Sequence, residues 1–198
     1  MPQLHVAKNG QPLCTVGSDD VWMFSASMHT DIWSKEPCEL TVTGGGKRTA
    51  EGTSDFLIWE MSHELREGDR IAFTFAEGSA SSPKGQLFND EPNPDGSKPE
   101  FFDPLAETEI LKLENRPIAN PRCGWRFCFA EEPVRVVAVD SKRQNISLHL
   151  LWNEMRPESM RVNLSKASLR EIVARSGGEE LFLQYAGVGA HVEVSVGI

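Results

Sequence analysis

The stretch "VWMFSASMHTDIW", residues 21–33, decides the fold class. Its even positions carry Trp22, Phe24, Ala26, Met28 and Ile32, with Thr30 alone breaking the apolar row. Its odd positions carry Ser25, Ser27, His29 and Asp31. A period of two with one greasy side is the pattern of a long strand that buries one face. Further strands are expected in "CELTVTGGG" (38–46), with Leu40 and Val42 inward before a flexible glycine run, in "DFLIWE" (55–60) and in "RIAFTFAE" (70–77), where Ile71, Phe73 and Phe75 share a side. Between the last two, "MSHELREGD" (61–69) reads as a single helical turn ending at Gly68.

Beyond residue 120 the strand pattern returns. "VRVVAVD" (134–140) and "NISLHLLW" (145–152) flank the polar "SKRQ", which predicts an antiparallel hairpin with Ile146, Leu148, Leu150 and Trp152 inward. "EELFLQYA" (179–186) and "AHVEVSV" (190–196) predict a closing hairpin around "GVG". "SLREIVARSGG" (168–178) is a capped helix, with Ser168 and Glu171 as a capping box and Gly177 as its stop. Leu169, Ile172 and Val173 are expected to pack that helix on the C-terminal sheet. Strands in runs with one or two short helices define an α+β class of predominantly antiparallel sheet, sandwich or barrel-like.

The organisation follows: 1–80 is a β-rich half, 81–121 a Pro/Gly-rich connector, and 122–198 an α+β half that can share one compact domain with 1–80. Seven of the twelve prolines fall between Pro83 and Pro121. Within the connector, Asp103–Pro104 has the chemistry of a helix start leading into "LAETEILKLEN" (105–115). "FLIWEMSHELREGDRIAFTF" (56–75) echoes "LHLLWNEMRPESMRVNLS" (148–165). Two diverged copies of one β unit would leave such an echo, and so would two unrelated strand–turn–strand segments.

Several chemistries are disfavoured. "EPNPDGSKPEFFD" (91–103) spaces Glu91, Asn93, Asp95 and Gly96 like a calcium loop, but its twelfth position is Phe102 where a bidentate Glu is needed. Cys123 and Cys128 are too widely spaced for the first pair of a zinc knuckle, so no metal is expected. "TGGGKRT" (43–49) lacks the spacing and following helix of a P-loop, and no cofactor signature is present. Four cysteines are too few and scattered for a disulfide scaffold, and buried free thiols are expected. No run is long and apolar enough to span a bilayer, and the polar "MPQLHVAKNG" start predicts a cytoplasmic protein.

Twenty Lys and Arg against 29 Asp and Glu leave a net charge of −9, which repels phosphate backbones and anionic lipid and attracts a basic surface. The leading expectation is therefore an acidic protein that binds another protein with a basic surface, with no role for nucleic acid or membrane. Bacterial immunity proteins, which block a cognate toxin, share this acidic profile as an analogy of type. Trp33 and Trp125, at strand ends beside polar turns, with Arg122 and Arg126 next to the latter, are the expected partner-binding residues. The alternative is an enzyme whose site is assembled from His29, Asp31, His149 and His191, since His29 and Asp31 share the polar side of one strand. A structural subunit of a bacterial assembly is a third reading.

Overall fold

The computed structural model describes residues 1–30, 32–33, 38–47, 54–88, 106–119, 124–131, 133–140 and 144–197. These residues build two antiparallel sheets, as the alternation predicts. One sheet has six strands in the order β2 (Gln11–Gly17), β1 (Pro2–Lys8), β6 (Arg70–Glu77), β13 (His191–Val196), β8 (Trp125–Phe129) and β9 (Arg135–Val139). The other has seven, in the order β12 (Glu179–Gly187), β11 (Ser159–Ala167), β10 (Asn145–Asn153), β3 (Val21–Thr30), β4 (Cys38–Gly46), β5 (Phe56–Leu65) and β7 (Gln86–Leu87). Each sheet draws strands from both halves of the chain, and one hydrophobic cluster takes residues from every strand except the two-residue β7.

The core is the sum of the inward rows. Phe24, Ala26 and Met28 of β3 and Leu148 and Leu150 of β10 face Leu4, Val6, Phe73, Phe75, Val192 and Val194 of the six-stranded sheet, all buried. Burying one such large side chain contributes about 1.5–3 kcal/mol, and facing rows of them hold two sheets together. Aromatic contacts tie the layers: Phe24 stacks on Trp152 at 5.0 Å and meets Phe75 of the other sheet at 6.4 Å. Phe182 of β12 reaches Phe127 and Phe129 of β8 at 5.0 and 5.1 Å. Thr30, the one polar member of the decisive row, is buried, and its Oγ1 accepts from the backbone N–H of Ile146 at 2.7 Å. Its hydroxyl is satisfied, so the break in the pattern does not expel the strand from the core.

Local chemistry moves some expected boundaries. The triple glycine belongs to β4, and a bulge between Val21 and Met23 on β3 lets Trp22 lie over it. A Cβ at Gly45 would come within 2.5 Å of Trp22 Nε1, and one at Gly44 within 3.1 Å of Trp59. Glycine is required there because two indoles cover the strand. "MSHEL" is not a helical turn but the far half of β5, which bulges around Ser62 (φ 48°) and delivers Leu65 to the core. Bulges scramble a period of two, which is why this segment lost its strand signature.

Both hairpins expected in the C-terminal half are corrected. β9 pairs with β8, whereas β10 pairs with β3 and β11, so consecutive strands β9 and β10 belong to different sheets and form no hairpin. Likewise β12 pairs with β11, and β13 with β6 and β8. A short polar turn between two alternating strands leaves the apolar rows inward either way, so alternation cannot tell a hairpin from an arch across a sandwich. The two echoing segments are also arranged differently: β10 and β11 are paired neighbours, while β5 and β6 belong to different sheets.

Two short helices complete the described residues. The first, α1 (Glu107–Glu114), starts after Ala106; Asp103–Pro104 lie outside the described residues. The second, α2 (Leu169–Val173), has the expected capping box, with Glu171 N donating to Ser168 Oγ and Ser168 N to Glu171 Oε2 at 2.7 Å. Its expected packing is not observed: Ile172 is 46% exposed and no residue of α2 is buried. Arg170 instead bridges to Glu107 and Glu114 of α1 at 2.9 and 2.8 Å. A five-residue helix is too short to present a full apolar stripe to a sheet. No helix among the described residues is long and apolar enough to cross a membrane.

Candidate functional site

The four candidate catalytic residues do not converge. His29 on β3 and His149 on β10 are diagonal neighbours on the outer face of the seven-stranded sheet, because His149 stands opposite Ser27 and Ser147 opposite His29. Each ring bonds a serine of the other's strand: His149 Nε2 with Ser25 Oγ at 2.9 Å, and His29 Nδ1 with Ser147 Oγ at 3.2 Å. His191 lies on the outer face of the other sheet, in register with Thr74 and, beyond it, His5. Its Nδ1 bonds Thr74 Oγ1 at 3.0 Å, and His5 Nδ1 bonds Thr15 Oγ1 at 2.9 Å. Asp31 lies outside the described residues.

Ser147, His29 and Glu39 form a row across three strands. A nucleophile–base–acid relay needs the carboxylate to hold the imidazole, and no bond from Glu39 to His29 exists among the described residues. The row lies on an outward strand face, and both imidazoles are held below their ordinary value. For His149 the causes are burial against the sheet, then Arg161, then His29; for the more open His29, burial outweighs the opposing pull of Glu39. Both rings therefore favour the neutral form in the folded protein.

That depression has a consequence for stability. The unfolded chain takes up a proton on each histidine near pH 6.5, above the point at which the folded chain does so. Stability is then fully present above that pH and is lost as pH falls through it toward the folded value. The thermal midpoint is expected to drop between about pH 7.5 and 5.5, and to drop less steeply in His149→Gln. A midpoint that is flat or rises on acidification overturns this assignment.

The expected aromatic contact surface needs correction. Trp125 is completely buried and belongs to the core row of Phe127 and Phe129. Arg126, one residue on, faces solvent, because neighbours in a strand point to opposite sides. The alternation of "WRFCF" carries this signal, which proximity to a polar turn masked. Trp33 is half-buried just beyond Ile32, and Arg122 lies outside the described residues. Cys14 and Cys38 are buried free thiols; Cys128, also free, is only partly buried, and Cys123 lies outside the described residues. Burial, followed by the charge of Glu60, pushes the Cys14 thiol up to about 12, which makes it unreactive. The calcium-like stretch 91–103 also lies outside the described residues.

A different place gathers chemistry. A cavity of about 510 Å³ opens at one end of the sandwich, lined by Met1, Pro2, Ser18, Lys47, Glu77, Trp152, Glu154, Pro157, Glu158 and Val188. Antiparallel pairing explains the gathering: Pro2 opens β1 opposite Glu77 at the end of β6, and Ser18 follows β2. From the other sheet, Glu154 follows β10, Glu158 precedes β11, Val188 follows β12 and Lys47 follows β4. Backbone bonds hold these turns, with Ser18 N on Pro2 O (3.2 Å), Glu154 N on Trp22 O (2.8 Å) and Lys47 N on Asp20 O (3.1 Å).

The wall is apolar and the mouth is acidic. Trp152 forms one side, stacked on Phe24 and fixed by its Nε1 bond to Pro157 O at 3.1 Å. Pro2, Pro157 and the exposed Met1 and Val188 supply further apolar surface. Glu77, Glu154 and Glu158 are exposed and make no ion pair among the described residues, and neither does Lys47. Arg156, the one cation in the Glu154–Glu158 turn, is drawn aside to the ring of Tyr185, 5.3 Å from its centroid. Ser18 is 4% exposed, and its Oγ has no hydrogen-bond partner among the described residues. Sequence reasoning missed this site because it comes from strand ends spread between residues 1 and 188, with no contiguous motif. No protein-family model, curated protein or solved structure matches this chain.

Proposed function

We propose that this protein works by binding a partner protein with a basic surface, using the acidic mouth of the sandwich-end cavity as part of the contact. The observation that carries the reading is the set of three carboxylates, Glu77, Glu154 and Glu158, without an ion pair among the described residues, around an apolar hollow, on a chain of net charge −9. Unpaired surface carboxylates retain their full field for a partner, whereas carboxylates already bridged to lysine or arginine do not. Exposed apolar residues within an acidic rim supply the contact that follows the encounter.

The test is capture of partners from a host lysate, followed by association kinetics of the purified pair. Raising salt from about 20 mM to about 500 mM shrinks the screening length several-fold and is expected to slow association by about 10-fold or more. Glu154→Gln with Glu158→Gln should act on the on-rate. An on-rate indifferent to salt overturns the reading.

A further inference from the structure

We infer that the occupant of the sandwich-end cavity is an apolar side chain of the partner flanked by lysine or arginine: the apolar group fills the hollow and the cations meet Glu77, Glu154 and Glu158. This inference rests on the binding reading above and assigns the anchor within it. The hollow lies between the ends of the two sheets: Trp152 and Pro2 in its wall are buried, while the three carboxylates and the apolar Met1 and Val188 around them are exposed. A lone lysine entering it would carry its ammonium past the carboxylates into the apolar part and lose hydration without gaining a counter-ion. Reversed order, apolar inside and cationic outside, matches both zones at once. A volume of about 510 Å³ is within the range of about 300–1,000 Å³ of clefts that take small ligands, so it admits a large apolar side chain together with part of the residues that flank it.

The local charge supports the same order. The side chains at the mouth comprise three carboxylates and one ammonium, Lys47, and the nearby Arg156 is engaged by Tyr185. The surface left over is negative around an apolar centre, which is the complement of a basic segment with one greasy anchor. Few interface residues carry most of the binding energy, and they sit in pockets of this kind. Ser18 adds a buried hydroxyl in the wall whose hydrogen-bonding capacity is unused among the described residues.

The probe is the tripeptide acetyl-Lys-Phe-Lys-amide, titrated into the full chain while backbone amide shifts are followed by NMR. Shifts are expected at Ser18, Glu77, Glu154 and Val188, with weak saturable binding. Acetyl-Lys-Ala-Lys-amide and acetyl-Glu-Phe-Glu-amide should each bind at least about 10-fold more weakly, since one lacks the anchor and the other reverses the charge. Glu154→Gln with Glu158→Gln should weaken the Lys-Phe-Lys peptide severalfold and leave acetyl-Ser-Phe-Ser-amide unchanged. Val188→Lys, at a 45% exposed position, should abolish binding by placing a cation at the hollow. Equal binding of the alanine peptide, or shifts centred on the His29–His149 face, overturns the anchor. Failure of the peptides beside a strongly salt-dependent association of the whole partner overturns only the anchor. Peptide binding beside a salt-indifferent association overturns the functional reading instead.

Discussion

Trp125→Ala is expected to cost the fold about 3–5 kcal/mol, the range for removing a buried large aromatic. Trp125 has no exposed surface, and its strand lies between β13 and β9 with Phe127 and Phe129 continuing the same inward row. Truncation leaves a hollow that neighbouring strands, paired on both sides, cannot close. A domain holds together by about 5–15 kcal/mol, so this single change removes a large share of the total. Arg126→Ala, the adjacent outward position, should stay within about 0.5 kcal/mol of the parent. Denaturant melts of the two variants make the comparison. A Trp125 cost below about 1 kcal/mol would return the indole to the surface and restore it as a partner contact.

The contrast between those two neighbours shows what a sequence can and cannot say about a sandwich. Sidedness was readable wherever a strand kept strict alternation: Phe24, Ala26, Met28, Leu148, Leu150, Val192 and Val194 are all where their pattern puts them. The helix cap at Ser168 was readable too, because its chemistry is local. Pairing was not. The inward row of β10 is the same whether its partner is β9, as the turn suggested, or β3 and β11, as the register shows. The identity of a strand's neighbour is a long-range fact, here linking residue 29 to residue 147.

The candidate site was hidden by the same physics. Histidines drew attention because their chemistry is recognisable one residue at a time, yet pairing placed His191 on the opposite outer face from His29 and His149. The cavity residues have ordinary chemistry individually: two prolines, three glutamates, a lysine, a serine, a methionine, a valine and a buried tryptophan. Only the convergence of strand ends turns them into a hollow with a charged mouth. A turn such as "NEMRPES" (153–159) could have hinted at this, since it keeps two glutamates and a proline together, but the facing wall comes from β1, β2 and β6.

Gly17→Ala is expected to destabilise the protein by about 3 kcal/mol, the upper end of the usual cost of overpacking. Gly17 is buried at the end of β2, and a Cβ there would collide with the backbone of Ser79 and Ala80. Backbone yields far less readily than the tip of a side chain, and this backbone is tied down from several sides. Asp19 N donates to Ser79 O at 2.8 Å, Gly17 N to Ser81 Oγ at 2.9 Å and Ser81 N to Asp20 Oδ2 at 3.0 Å. Thr15 and Ser82 exchange backbone bonds of 2.8 and 3.0 Å, and Gly78 N donates to Met1 O at 2.8 Å. The methyl group must therefore break part of this clasp or push β2 away from it. Gly187→Ala is the control: that glycine also ends a strand, but its Cβ would meet nothing within 4 Å, and the change should cost less than about 0.5 kcal/mol. Because Ser18 follows Gly17 and Glu77 precedes Gly78, the clasp also sets one wall of the cavity. Equal melting of the two variants would mean that the 78–82 segment does not press on β2, and the described shape of that wall would fall with it.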